Sequence, residues 1–202
     1  MGIYEISLAT VVGINIILAL GLNMISGFCG QISLGHAAFY GVGAYTSALL
    51  AKAGTPLPLA IAAGMISAGV VGLIVGLASL RVRHDFLAIT TMGVGFLFLG
   101  IVRQQEFLGG ELGISAIPAS GFGKIGYLVI DLILAGFMTA FSLWIKRSWM
   151  GFAFDAVADD EDTARVVAVD VGAYKLAAFA MGTSMAGVAG GLYTFFARFL
   201  MP

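Results

Sequence analysis

Charge is scarce in this chain of 202 residues: ten basic and eleven acidic side chains leave a formal net charge of −1 and only 10% of positions charged. Nucleic acid is excluded as a partner, because phosphate binding needs clustered Lys and Arg. Cysteine occurs once, at Cys29, so an intrachain disulfide is impossible and the redox compartment is unmarked. The two histidines, His36 and His84, stand in no metal-ligand spacing, so neither a metal nor any other cofactor is expected. Cys29 and His36 would share a face of an unbroken helix, but Gly27, Gly30 and Gly35 interrupt it. A nucleophile–base pair is therefore not expected, and Cys29 reads as a small apolar residue. Lys124 follows Gly123, yet Pro118 takes the place of the first glycine of a phosphate-binding loop and Ile125 that of its Ser or Thr. No catalytic constellation remains, and the chain is not read as an enzyme.

What the chain has in abundance is apolar surface. With 60% hydrophobic residues and a mean hydropathy of +1.03 it falls outside soluble averages and into the integral membrane class. The N-terminus lacks a basic n-region and a small-residue cleavage site, so its first apolar run is retained. About 20 apolar residues span the hydrocarbon core as a helix, the form that satisfies every backbone group internally. Runs 6–25, 32–51, 57–80, 86–102, 125–145 and 176–196 approach or meet that length. They predict an all-α polytopic transmembrane bundle of about six spans, one domain over 1–202. Run 86–102 is the shortest, and 32–51 is rich in Gly and Ala, so either could be partly re-entrant.

Asp131 lies in run 125–145. A central Asp costs about 2.5–3.5 kcal/mol on insertion scales, and the eleven Leu, Ile, Val and Phe of that run, each contributing about −0.3 to −0.6, outweigh it. Two readings stay open: a polar group facing a pathway, or a residue near enough to the run's start to reach the interface. The small-residue pairs Gly72/Gly76, Ala186/Gly190 and Gly187/Gly191 predict close helix packing.

Ten of the charged side chains fall between Lys146 and Lys175, clamped between apolar runs. The segment is either a solvated acidic loop or a surface for a water-soluble partner. If it is cytoplasmic and six spans alternate, Arg81 and Arg83 share its side, Lys52, Arg103, Lys124 and Arg198 lie opposite, and the N-terminus is outside.

Four stretches resemble, in order, the permeases of branched-chain amino-acid ABC importers, the LivM type. The first is 22–45, with Gly27-Phe28-Cys29-Gly30-Gln31-Ile32-Ser33-Leu34-Gly35-His36 at its centre. Leu80-Arg81-Val82-Arg83 with Phe86-Leu87-Ala88-Ile89-Thr90-Thr91-Met92-Gly93 follows, then Gly109-Gly110-Glu111-Leu112-Gly113-Ile114. The fourth is Gly151-Phe152-Ala153-Phe154-Asp155-Ala156-Val157-Ala158-Asp159-Asp160-Glu161-Asp162-Thr163-Ala164, continued by Val171-Gly172-Ala173-Tyr174-Lys175. Where that family usually carries a glycine after the acidic cluster, this chain has Ala168.

The resemblance implies a multi-pass inner (plasma) membrane permease subunit working by alternating access, with hydrolysis done by separate ABC ATPase subunits. A sister permease subunit, an external substrate-binding protein and the lipid bilayer complete its partners. It implies that segment 146–175 is a cytoplasmic coupling segment, with Gly151, Ala153, Asp155, Ala156, Asp159, Asp160, Glu161 and Ala164 contacting the ATPase. Gln31, Ser33 and His36 would line the substrate path, or the stretch that holds them is a structural turn between helices. Family members run on for further spans, so the domain is expected to be incomplete at its C-terminus. The alternatives are an ATP-independent ion-coupled transporter or channel, which draws on Asp131 and His36, and an inactive truncated permease.

Overall fold

The computed structural model describes residues 2–80, 84–119 and 121–202. Helix α1 (Ile3–Leu22) runs into a π-helical turn, Asn23–Phe28, and is followed by α2 (His36–Lys52), α3 (Leu57–Ser79), α4 (His84–Gln104) and α5 (Lys124–Arg147). Two short helices, α6 (Trp149–Asp159) and α7 (Glu161–Val166), lead into α8 (Val171–Ala197). The architecture is all-α, as the apolar runs predict. Among the described residues the only extended pairing is between Ile114 and Leu200, which exchange backbone hydrogen bonds of 2.9 and 3.0 Å.

Five segments, Ile3–Phe28, Leu57–Ala78, Leu87–Gln104, Lys124–Arg147 and Val171–Ala197, are long and apolar enough to cross a membrane. Helix α2, with 17 residues, is shorter. Run 86–102 lengthens at both ends into the 21 residues of α4, so of the two runs open to re-entry only 32–51 is broken.

Helix α8 is the hub, 67% buried over its apolar window against 17% for α4. It packs against α3, α2 and α1. Close approach depends on glycine. A Cβ on Gly43 of α2 would stand 2.4 Å from the Gly187 Cα, one on Gly187 would stand 2.5 Å from the Gly64 carbonyl oxygen of α3, and one on Gly190 would reach 2.0 Å from that of Tyr40. With backbones this near, the Thr194 hydroxyl donates across to the Ala44 carbonyl at 2.9 Å. The expected small-residue packing is realised: Gly72 faces Thr183, and Gly76 faces Leu176 and Phe179.

The helices order the chain between two ends. Helices α1, α3 and α5 run toward the end that carries α6 and α7, whereas α2, α4 and α8 run away from it. Lys146, Arg147, Arg165 and Lys175 gather at the α6 end, and Lys52, Arg103, Lys124 and Arg198 at the opposite one. Arg81 and Arg83, used in predicting the orientation, lie outside the described residues.

Candidate functional site

The apolar run of α1 ends in an irregular stretch. Its α-helical ladder widens at Asn23–Phe28, with the Gln31 N–H reaching back to the Ile25 carbonyl at 3.1 Å. Such π-turns replace regular bonding at places where a helix must be re-aimed. Gly30 then takes φ +69°, a left-handed conformation that suits glycine. The chain turns back into the bundle, and α2 begins beside α4: a Cβ on Gly35 would lie 2.0 Å from the Thr91 carbonyl oxygen, so only glycine fits. The Leu34 N–H donates to the Thr91 hydroxyl at 3.0 Å, giving the non-helical segment a partner inside the bundle.

His36 opens α2 and packs against α1. Its Nε2 sits 3.2 Å from the Leu18 carbonyl, and because a carbonyl only accepts, Nε2 donates there and leaves Nδ1 as an acceptor in the neutral ring. Leu18 stands ten residues before the end of the π-turn, which puts His36 roughly 15 Å in from the α6 end at about 1.5 Å per residue. His36 Nδ1 and Ser33 Oγ are both buried without a hydrogen-bond partner in the chain. Buried polar atoms are normally paired, so this pair marks the break as a polar spot at depth. Gln31 is different: 1% exposed, it donates from Nε2 to the Lys175 carbonyl at 3.0 Å.

Lys175 belongs to the other predicted site. The structure brings the two together at three points along 146–175. At its start, Lys146 holds Asp155 in an ion pair and places its ammonium 5.0 Å over the Phe28 ring. In its middle, a Cβ on Gly30 would meet the Ala158 Cα at 3.1 Å. At its end, Lys175 pairs with Glu161, which also receives Arg165 at 3.3 Å, while its carbonyl takes the Gln31 amide. The broken helix is seated on the end of α5, on α6 and on the start of α8.

Within 146–175 the predicted residues divide by direction. Gly151, Ala153 and Ala164 are buried against their own bundle. For Gly151 the reason is steric, since a Cβ there would come within 2.2 Å of the Lys146 carbonyl oxygen. Asp159 and Asp160 are exposed, and Asp155, Ala156 and Glu161 are half-buried. Beside them Trp149, Phe152 and Val166 are 79, 65 and 86% exposed, an apolar set that the pattern of small residues in the sequence does not signal. Asp160 breaks the helix between α6 and α7 and caps the latter, accepting from the Asp162 N–H at 2.9 Å and the Thr163 hydroxyl at 2.7 Å. The Thr163 hydroxyl first, and then the Asp162 and Thr163 amides, hold its carboxyl below the usual range. Asp131, by contrast, lies away from this site. It is fully buried between α5 and α1, its carboxyl over Gly13 and both oxygens without a partner. It reaches no interface.

A bundle of helices long and apolar enough to span a membrane, one of them broken near the α6 end, defines a polytopic integral membrane protein. The family described as the permease component of the branched-chain amino acid transport system matches residues 5–201, and the chain belongs to it. It is 32% identical to the high-affinity branched-chain amino acid transport system permease protein LivM of Salmonella typhimurium and, equally, to that of Escherichia coli; both alignments cover 98% of this chain and 54% of the relative. A probable branched-chain amino acid transport permease protein LivH of Methanocaldococcus jannaschii is 24% identical over 89% of the chain and 62% of its own length. The chain spans about half the length of the curated relatives it matches. No solved structure matches it.

Proposed function

We propose that the chain is a multi-pass inner-membrane permease subunit of an ABC importer for branched-chain or related amino acids. A separate ATPase docks on the solvent side of α6 and α7. The observation that carries this reading is the seating of the broken helix on that segment. Exposed Trp149, Phe152 and Val166 with Asp155, Asp159 and Asp160 suit an apolar groove rimmed by basic side chains. Movement of α6 reaches Gly30 directly, and movement of the start of α8 reaches Gln31 through the Lys175 carbonyl. Through these two it reaches Ser33, His36 and the start of α2, which line the path. A sister permease and an external binding protein complete the assembly. Residues 1–202 form a single transmembrane unit that is part of a longer permease domain, with its coupling segment at 146–175.

The test is uptake of labelled leucine by proteoliposomes holding the assembled subunits. Uptake that requires ATP and the ATPase supports the proposal. Uptake by the chain alone without ATP refutes it and favours the ion-coupled alternative, whose supports are the buried carboxyl of Asp131 and the unpartnered Nδ1 of His36 at the broken segment.

A further inference from the structure

At the end opposite α6, helices α1, α5 and α8 enclose a cavity of about 460 Å³, within the size range of small-molecule sites. Its polar lining has two parts. Lys124, the first residue of α5, and Arg198, which closes α8 in a left-handed turn at φ +58°, bring two cations to its rim. Every ion pair among the described residues lies at the other end of the molecule, and none involves either of them. The second part is a set of hydroxyls whose protons are already committed. Ser7 donates to the Ile3 carbonyl at 3.0 Å, Thr10 to that of Ile6 at 2.9 Å, and Tyr127 to that of Leu192. Each oxygen is left as an acceptor. Phe195 and its neighbours make the wall apolar.

Two cations, a group of acceptor-only oxygens and an aromatic wall are the complement of a zwitterion with an apolar side chain. We infer that this cavity is a receiving site for an α-amino acid, deepening the permease reading on which it rests. The carboxylate is held by Lys124 and Arg198, the ammonium by the oxygens of Ser7, Thr10 and Tyr127, and the side chain by Phe195. An anionic lipid headgroup shares the affinity for the two cations, but phosphatidylglycerol has no ammonium to use the hydroxyl oxygens. From this cavity α1 leads inward. A second cavity of about 440 Å³, lined by Ile14, Leu18, Tyr40 and Tyr193, continues along it to the carbonyl that holds His36.

The experiment is equilibrium binding of labelled L-leucine to the full chain in phosphatidylcholine nanodiscs. L-leucinamide, which lacks the carboxylate, and 4-methylpentanoate, which lacks the ammonium, serve as competitors. Each analogue is expected to bind at least about ten-fold more weakly than leucine, the size of one lost charge-assisted contact. In Lys124→Gln and Arg198→Gln the preference for leucine over leucinamide should collapse while leucinamide affinity holds, a selective loss that misfolding does not produce. Leucinamide binding as tightly as leucine, or an unchanged preference in both variants, overturns the site. So does displacement of leucine by phosphatidylglycerol, which assigns the cations to lipid. Binding decides the site and ATP-dependent uptake decides the permease reading, so either can fail alone.

Discussion

Gly30 rests on Ala158. The left-handed backbone of the α1–α2 break and the Cα of the α6 residue are so close that a Cβ on the glycine would stand 3.1 Å from it. The contact joins the segment expected to meet a soluble partner to the polar break between α1 and α2.

Gly30→Val should therefore be penalised twice, by its φ and by the contact. About 1–3 kcal/mol of local strain is expected, read as a lower Tm in detergent. In the assembled transporter, leucine uptake should fall far more than ATP hydrolysis, because the docking face is untouched while its link to α2 is displaced. Equal retention of both activities would show that no force passes through this contact.

Ala168 offers the opposite sign. It adopts φ +62°, with its N–H bonded to Arg165 and that of Val169 bonded to Ala164, the two bonds that close a helix through a left-handed residue. An L-residue with a Cβ pays about 1–2 kcal/mol for this conformation. Ala168→Gly should raise stability by about 1 kcal/mol, measured as a higher Tm, with expression and insertion unchanged. A lower Tm would show that the turn is held by something other than its backbone.

Hydrophobic length and small-residue spacing made the bundle legible, because helix number and close packing follow from local composition. The left-handed turn at position 168 was not legible, since an alanine gives no local signal for φ +62°. The direction each side chain takes was not legible. Gly151, Ala153 and Ala164 look like groove-fitting residues in sequence, yet they pack inward, because a small residue suits either face of α6 or α7 and only tertiary packing chooses. Nor could the sequence place Gly30 against Ala158, a contact between residues 128 positions apart. Nor could the sequence choose between the two readings of Asp131. Gly13, distant in sequence, makes the room that buries it.

Asp131 and Gly13 should be energetically coupled. A Cβ on Gly13 would overlap the Asp131 Oδ2 at 1.9 Å, so Gly13→Ala should cost about 1–3 kcal/mol by overpacking. Replacing Asp131 with Ala removes the obstructing carboxyl, and the double variant should recover most of that loss. A double-mutant cycle on thermal unfolding with no coupling would place the carboxyl elsewhere.

The Asp160 cap sets a pH dependence. Its carboxyl is held below the usual value by the Thr163 hydroxyl and the backbone N–H groups of Asp162 and Thr163. The cap's contribution is thus complete above the unfolded carboxylate value of about 3.9. It is lost as pH falls through the depressed folded value. Hydrogen-exchange protection of the α7 amides should hold from neutral pH to about 4 and drop below it. Asp160→Asn, which still accepts from these groups, should lack that step. Loss of protection near pH 6 would assign the sensitivity to another group.

Ala156 and Ala153 separate docking from folding. Both are alanines of α6, but Ala156 is half-buried toward solvent while Ala153 is 6% exposed against the bundle. Ala156→Arg should insert and fold normally yet fail to bind the ATPase, because a long cation blocks a close-fitting groove and meets basic rim charges that the acidic Asp155 and Asp159 would otherwise attract. Ala153→Arg should fail earlier, since an unpaired buried cation costs several kcal/mol and the helix cannot close on the bundle. Membrane yield and Tm read the folding effect, and co-purification with the ATPase subunit reads docking. If Ala156→Arg co-purifies and transports as the parent does, the partner surface is not this face of α6. If Ala153→Arg alone loses the ATPase at full stability, the docking face must be the side of α6 that is now turned toward Gly30.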